Sequence, residues 1–354
     1  MPVAYKKMKV NTVLGNVGVL PTRLWTRHCF DPYANCEFNC VYCDSGFHTP
    51  QGCKEKPNTV FVKYNAPEVL AHELSQMKTR GVLSMGVATD IYQPAEEKFQ
   101  ITRQLLEVLR DYSCPFALGT KSALILRDLD VISEAAKKSW CCVSLSIATL
   151  DEKTAKLLEP NASPPKERLD AVRKLSDAGV MVGVWAAPLL PYITDTNENI
   201  EHVVEAAVEN GAKFVLGVST DSRNPVRFKA FMEQNFPQFV KRYERLYSGV
   251  EPSGGELRTY YPDESYLYDL YKRFVLICEK CGVEHYIPHF HTRRQAWLFF
   301  MRNFGQFKGS PAFELRQLLN YLSPSKEILQ TVRIRCGTGA VTENFLKVFG
   351  YFPH

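Results

Sequence analysis

The 354-residue sequence has no apolar run long enough to cross a bilayer. Its longest, around Val180 to Leu190, falls far short of the ~20 residues a spanning helix needs. Met1 to Val10 carries lysines but no apolar core, so it does not read as a secretory signal. There is no internal repeat and no low-complexity tract. A strong charge of one sign is lacking too: 43 Lys and Arg against 38 Asp and Glu leave +5. That is mild for a nucleic-acid binder, whose domains more often show a pI above about 9. These absences predict a cytoplasmic chain without a membrane partner, in a compartment that keeps thiols reduced. A composition of 45% hydrophobic and 23% charged residues excludes a disordered chain. At this length a core forms without disulfide staples.

Cysteine is plentiful: there are eleven, an odd number. In a reducing compartment this points to metal or redox chemistry rather than a disulfide framework. Three of them stand in Cys36-Glu-Phe-Asn-Cys40-Val-Tyr-Cys43, in a loop with Pro32, Asn35 and Asn39 that precedes any helix. Three thiolates on one short loop can each bind one iron of a [4Fe-4S] cube, leaving the fourth iron without a protein ligand. A small molecule can chelate that iron, as substrate takes the open position of a catalytic zinc. The plainer alternative is a structural zinc loop with His28 or Cys53 as fourth ligand. Tyr42, an aromatic residue before the third cysteine, adds weight to the cluster. Cys278 and Cys281 also have metal-like spacing, with only Cys336 nearby to join them. Cys141 and Cys142 read as core thiols.

From about residue 24 to 220 the chain alternates strand-like and helix-like segments. Strands are expected at 24–30, 82–88, 116–120, 141–148, 180–187 and 213–219, and helices at 96–111, 126–138, 151–158, 165–179 and 198–210. This βαβα rhythm predicts parallel strands with helices outside, in a doubly wound sheet or a barrel. It breaks after Thr220. The remainder, aromatic and rich in Arg and Pro, reads as an extension closing over the barrel, with a helix at 265–280 and a short β segment at 285–291. Asp128 and Asp130 are expected to complement a helix dipole, and Glu159 and Arg168 to form a structural ion pair. Trp297 to Phe300 reads as helix core. In the alternating segment His285 to His291, His289 and His291 share a face and can close a small polar pocket.

The triplet resembles the radical S-adenosylmethionine superfamily, and the following residues resemble its spore photoproduct lyase or "DNA repair photolyase" branch. The matching stretches are Thr89-Asp90-Ile-Tyr92-Gln93-Pro94, Leu118-Gly-Thr120-Lys121-Ser122, Leu126-Arg127-Asp128-Leu129-Asp130, Val143-Ser144-Leu-Ser146-Ile, Leu158-Glu159-Pro160-Asn-Ala162 and Val182-Gly-Val184-Trp-Ala186-Ala187-Pro188. The resemblance implies an α/β fold, a partial (β/α)6 TIM-type barrel over 1–220 with an α+β extension over 221–354. It implies a [4Fe-4S] cluster on Cys36, Cys40 and Cys43, with S-adenosylmethionine on the open iron. Tyr42, Thr89, Asp90, Lys121, Ser144, Ser146, Ala187 and Pro188 would then line the cofactor, at the strand ends where barrel chemistry sits. Thr89 and Asp90 would hold its amino group, Lys121 its carboxylate, one serine its ribose, and Ala187 and Pro188 its adenine. Tyr92, His289 and His291 become candidate substrate contacts, and an external donor such as flavodoxin or ferredoxin would supply the electron.

The spore enzyme uses a cysteine soon after its cluster as hydrogen donor, and this chain has none between Cys53 and Cys114. No strongly basic hairpin is evident to grip a duplex, and Lys241-Arg242 and Arg293-Arg294 are isolated pairs. DNA is therefore disfavoured as partner, since repair would also require flipping a base out of its stack. A small modified nucleobase or nucleoside is the expected substrate, in the manner of queuine lyase. The reaction would convert queuine to 7-aminomethyl-7-deazaguanine.

Overall fold

The computed structural model describes residues 3–16, 28–43, 58–78, 80–219, 225–247, 262, 264–285 and 287–288. In chain order the elements begin with strands β1 (Ala4–Met8), β2 (Gly15–Asn16), β3 (His28–Phe30), β4 (Tyr33–Ala34) and β5 (Thr59–Lys63). Then come α1 (Ala66–Gln76), β6 (Leu83–Met85), α2 (Ala95–Phe99), α3 (Ile101–Asp111) and β7 (Phe116–Thr120). After a 3-10 turn at Ala123–Asp128 follow α4 (Leu129–Lys138), β8 (Cys141–Ser146), α5 (Glu152–Leu158), α6 (Pro165–Asp177) and β9 (Met181–Leu189). The last elements are α7 (Asn197–Glu209), β10 (Val215–Ser219), α8 (Pro225–Asn235), α9 (Val240–Leu246) and α10 (Glu264–Lys280).

The large sheet runs β2-β3-β6-β7-β8-β9-β10. From β3 to β10 every neighbouring pair is parallel, and β2 joins antiparallel to β3. Six parallel strands with connecting helices make the partial barrel. A second sheet, β1-β5-β4, stands beside the start of the chain. Strand periodicity sorts side chains between two cores. Leu118, Val143, Val182, Val184 and Val215 pack outward with Leu105, Leu106 and Leu109 of α3 and the other helices. Ala117, Cys142 and Phe214 turn the other way, joined by Trp185 and Leu216. Burial on both faces explains why 180–187 is apolar throughout. Cys141 and Cys142 are both buried, as core thiols should be.

One element differs from the sequence expectation. The helix foreseen over 96–111 is two helices, parted at Gln100 with φ 52°. The buried carboxylate of Glu96 accepts the N–H groups of Thr102 (2.9 Å) and Arg103 (3.3 Å) and so caps α3 from outside it. Asp128, foreseen as a dipole partner, is fully buried and bonded to Arg127 (2.8 and 2.7 Å) and Arg103 (3.1 Å). Asp128 stands at the N-cap and Asp130 in the first turn of α4, as foreseen, while Arg103 also holds Asp130 at 2.8 Å and Arg127 holds Glu96 at 2.6 Å, so an ionic network adds to the dipole role.

The helix that covers β10 arrives only with α10. Its Leu267, Leu270, Phe274 and Cys278 form a buried stripe at helical spacing. Each such buried side chain contributes roughly 1.5–3 kcal/mol. Asp195, after β9, accepts the Tyr266 hydroxyl of α10, and Arg273 donates to the Asp195 carbonyl at 3.0 Å. Among the described residues no helix is long and apolar enough to cross a membrane.

Candidate active site

The cysteine loop leaves β4 at the end of the barrel where the parallel strands finish. Asn35 (φ 68°) and Asn39 (φ 53°) take left-handed conformations immediately before Cys36 and Cys40. Asparagine tolerates that region better than most side chains, which explains its repetition here. The loop is then clamped from outside. The Gln93 side chain accepts from Glu37 N at 3.0 Å and donates to Asn35 O at 3.1 Å. Glu37 Oε1 accepts from Ala95 N (2.8 Å), Asn161 donates to Glu37 O (2.8 Å), and Val41 N donates to Leu158 O (3.0 Å). Gln93 and Asn161 had no role in the sequence reading. Their signal was there: both lie in the ordered motifs, and Gln93 is a polar residue with no exposure.

The loop after β6 is held by one carboxylate. Asp31, directly after β3, accepts the N–H groups of Gly86 (2.7 Å), Val87 (3.1 Å), Ala88 (2.9 Å) and Thr89 (3.0 Å). Gly86 has φ 79°, and a Cβ there would lie 2.1 Å from Gly119 O. Only glycine fits. The Thr89 hydroxyl donates to Tyr33 O at 3.2 Å. Asp90 accepts from the Thr120 hydroxyl (2.6 Å), Lys121 N (2.7 Å) and Tyr92 N (2.9 Å), fastening the ends of β6 and β7 together. Burial raises its carboxyl above the usual range, against the pull of these donors and of Lys121.

Lys121 lies over the Tyr42 ring, 5.9 Å from its centroid. Burial opposes its charge, but Cys40, Glu159 and Asp90 outweigh burial and hold the ammonium above its ordinary range. Tyr42 donates to Glu159, whose other oxygen meets Arg168 at 2.6 Å with both side chains 2% exposed. Arg168 also donates to Ser163 O and Ser146 O, each at 2.7 Å. The ion pair expected from sequence therefore ties the cysteine loop to the end of β8.

The remaining expected residues divide. Ser144 and Ser146 are buried on the same face of β8 as Cys142, beside Gly183 and Trp185 of β9. Ala187 and Pro188 lie near the end of β9 and share a cis peptide bond. Tyr92 is 1% exposed and packs in the helix-side core, near Asp128 and Glu96. Helices α2 and α3 fold over it. His289, His291, Trp297 and Cys53 lie outside the described residues.

The donor set fits an iron–sulfur cube. Cys36 and Cys40 face one another electrostatically, as do Cys40 and Cys43. A cube asks each thiolate to reach a different iron, whereas zinc draws all its thiolates to ~2.3 Å from one centre. His28 pairs with Leu83 at the opening of β6, the far end of the strands, so it does not complete a zinc site. Burial pushes the Cys40 thiol up to about 12, and Lys121 pulls it back. Iron binding displaces such protons.

The Radical SAM superfamily matches residues 31–207, half of the chain. The chain belongs to the radical S-adenosylmethionine superfamily. Enzymes of this superfamily use a [4Fe-4S] cluster and S-adenosylmethionine. An uncharacterized protein of Mycobacterium tuberculosis is 30% identical over 240 residues, 66% of this chain and 69% of the relative. An uncharacterized protein of Methanocaldococcus jannaschii is 25% identical over 238 residues, 66% of this chain and 85% of the relative. A spore photoproduct lyase variant with bound AdoMet and dinucleoside spore photoproduct superposes at TM-score 0.61 with 15% identity, over 80% of this chain and 82% of that one. At that identity the likeness speaks for the fold of this radical SAM chain.

Proposed function

We propose that the chain is a radical S-adenosylmethionine lyase acting on a small modified nucleobase, queuine, which it fragments to 7-aminomethyl-7-deazaguanine. In this reading Cys36, Cys40 and Cys43 hold the [4Fe-4S] cluster. When bound and reduced, that group supplies the electron that splits S-adenosylmethionine into methionine and a 5′-deoxyadenosyl radical able to take hydrogen from carbon. The chain's own residues bind and orient. Lys121, half-buried and charged, meets the cofactor carboxylate. Thr89 and Asp90 border the site of its amino group, Ser144 and Ser146 that of the ribose, and Ala187 and Pro188 that of the adenine. A soluble electron donor, flavodoxin or ferredoxin, docks outside, and residues 221–354 cap the barrel of 1–220.

One observation carries the substrate class. Phe228, Met232 and Tyr243 of α8 and α9 pack with Leu158, Leu190, Val41 and Tyr42, so an aromatic wall abuts the cysteine loop. So packed, the cluster shields the cysteine loop from water, which favours a small substrate for a reaction at carbon.

The test uses anaerobically reconstituted protein with queuine, S-adenosylmethionine and dithionite, followed by mass spectrometry. A 7-aminomethyl-7-deazaguanine product is expected, and Cys40→Ala should abolish both it and cofactor cleavage. Cofactor cleavage without that product would remove queuine. Conversion of dinucleoside spore photoproduct under the same conditions would put DNA repair in its place.

A further inference from the structure

The turn between β6 and the proposed cofactor residues is built around a carboxylate that no cofactor role uses. Gly86, Val87, Ala88 and Thr89 aim four successive N–H groups inward, and both oxygens of Asp31 receive them, two each. Successive amides converging in this way form an anion-binding concavity, here filled by the protein itself. Asp31 is 8% exposed, and Lys63 donates to its carbonyl at 2.8 Å. A charge this buried is costly for stability alone. The turn runs straight into Thr89 and Asp90, and Asp31 stands directly after β3, five residues before Cys36 of the cysteine loop. Thr89 closes the circuit through its hydroxyl to Tyr33 O.

We infer that Asp31 is a positioning residue for S-adenosylmethionine: it presets the 86–89 turn so that the methionine end of the cofactor meets an ordered site at a fixed offset from the cluster. The inference rests on the proposed cofactor site. Without Asp31 the turn would have to be ordered at the moment of binding, and the affinity would fall by the fraction of chains already in the competent conformation.

Asp31→Asn keeps the shape but turns an amide group toward two of the four N–H donors. In reconstituted full-length protein, iron content and the EPR signal of the reduced cluster without cofactor should match wild type, while the Kd for S-adenosylmethionine rises about tenfold or more, as expected when buried donors lose their acceptor. A Kd within twofold of wild type overturns the inference. Lys121→Ala separates the two levels: if it weakens binding while Asp31→Asn does not, the cofactor site stands and the role of Asp31 falls. If neither weakens binding, both fall. Should Asp31→Asn fail to fold, amide exchange of the wild-type protein decides. The 86–89 amides should exchange slowly before cofactor is added, and fast exchange that slows only with cofactor would overturn the role.

Discussion

Gln93 grips the chain on both sides of Cys36, accepting from the peptide after it at 3.0 Å and donating to the peptide before it at 3.1 Å. One amide side chain thus fixes the direction in which the first cysteine of the triplet leaves the backbone. A cluster ligand held this way keeps its geometry without the metal.

Replacing Gln93 by Leu removes these two bonds and a third to Asp90 O, leaving three peptide groups short of partners, a loss of roughly 1–3 kcal/mol for each group left buried. The variant should fold, reconstitute with less iron per chain, and bleach severalfold faster in air than wild type. Iron content and visible absorbance read this directly, and unchanged bleaching would show that the clamp is dispensable.

Glu159→Gln leaves Arg168 charged and buried without its partner. Breaking such a pair typically costs about 3–5 kcal/mol, whereas replacing both members by apolar residues often restores stability. Urea denaturation should therefore find Glu159→Gln strongly destabilised and Glu159→Met/Arg168→Met less so. The opposite order would mean that the ion pair itself is a net source of stability.

Gly86→Ala places a Cβ 2.1 Å from the Gly119 carbonyl at a φ of 79°. Backbone conflict of this kind is expected to cost more than about 3 kcal/mol. It should lower the melting temperature by several degrees, while Gly81→Ala, with nothing within 4 Å of its Cβ, should not.

Asp130 gives a pH signature. Arg103 holds its carboxyl at about 2, below the ordinary 3.8. A depressed carboxylate contributes stability above its unfolded pKa and loses it as pH falls, here between about 4 and about 2. The pair is largely solvated, so its worth is only ~0.2–1 kcal/mol. Asp130→Asn should flatten the stability curve across that interval, and its difference from wild type should vanish only below about pH 2.

The barrel was legible because its signals are local. Runs such as Val180–Ala187 declare a strand buried on both faces, and the cysteine spacing declares its chemistry on one loop. Glu159 with Arg168 was legible as a pair, but not as the tether between Tyr42 and Ser146, since that depends on where β8 ends in space. Asp31, Gln93 and Asn161 act through backbone groups more than 50 residues away in sequence, or 124 for Asn161. No periodicity or spacing encodes such partners.

Because α10 seals β10 from beyond residue 264, the segment carrying α8 and α9 is an insertion fastened to the barrel at both of its ends. The wall and the barrel should unfold together, so a truncation at residue 220 would strip β10 of its cover rather than release an intact catalytic core.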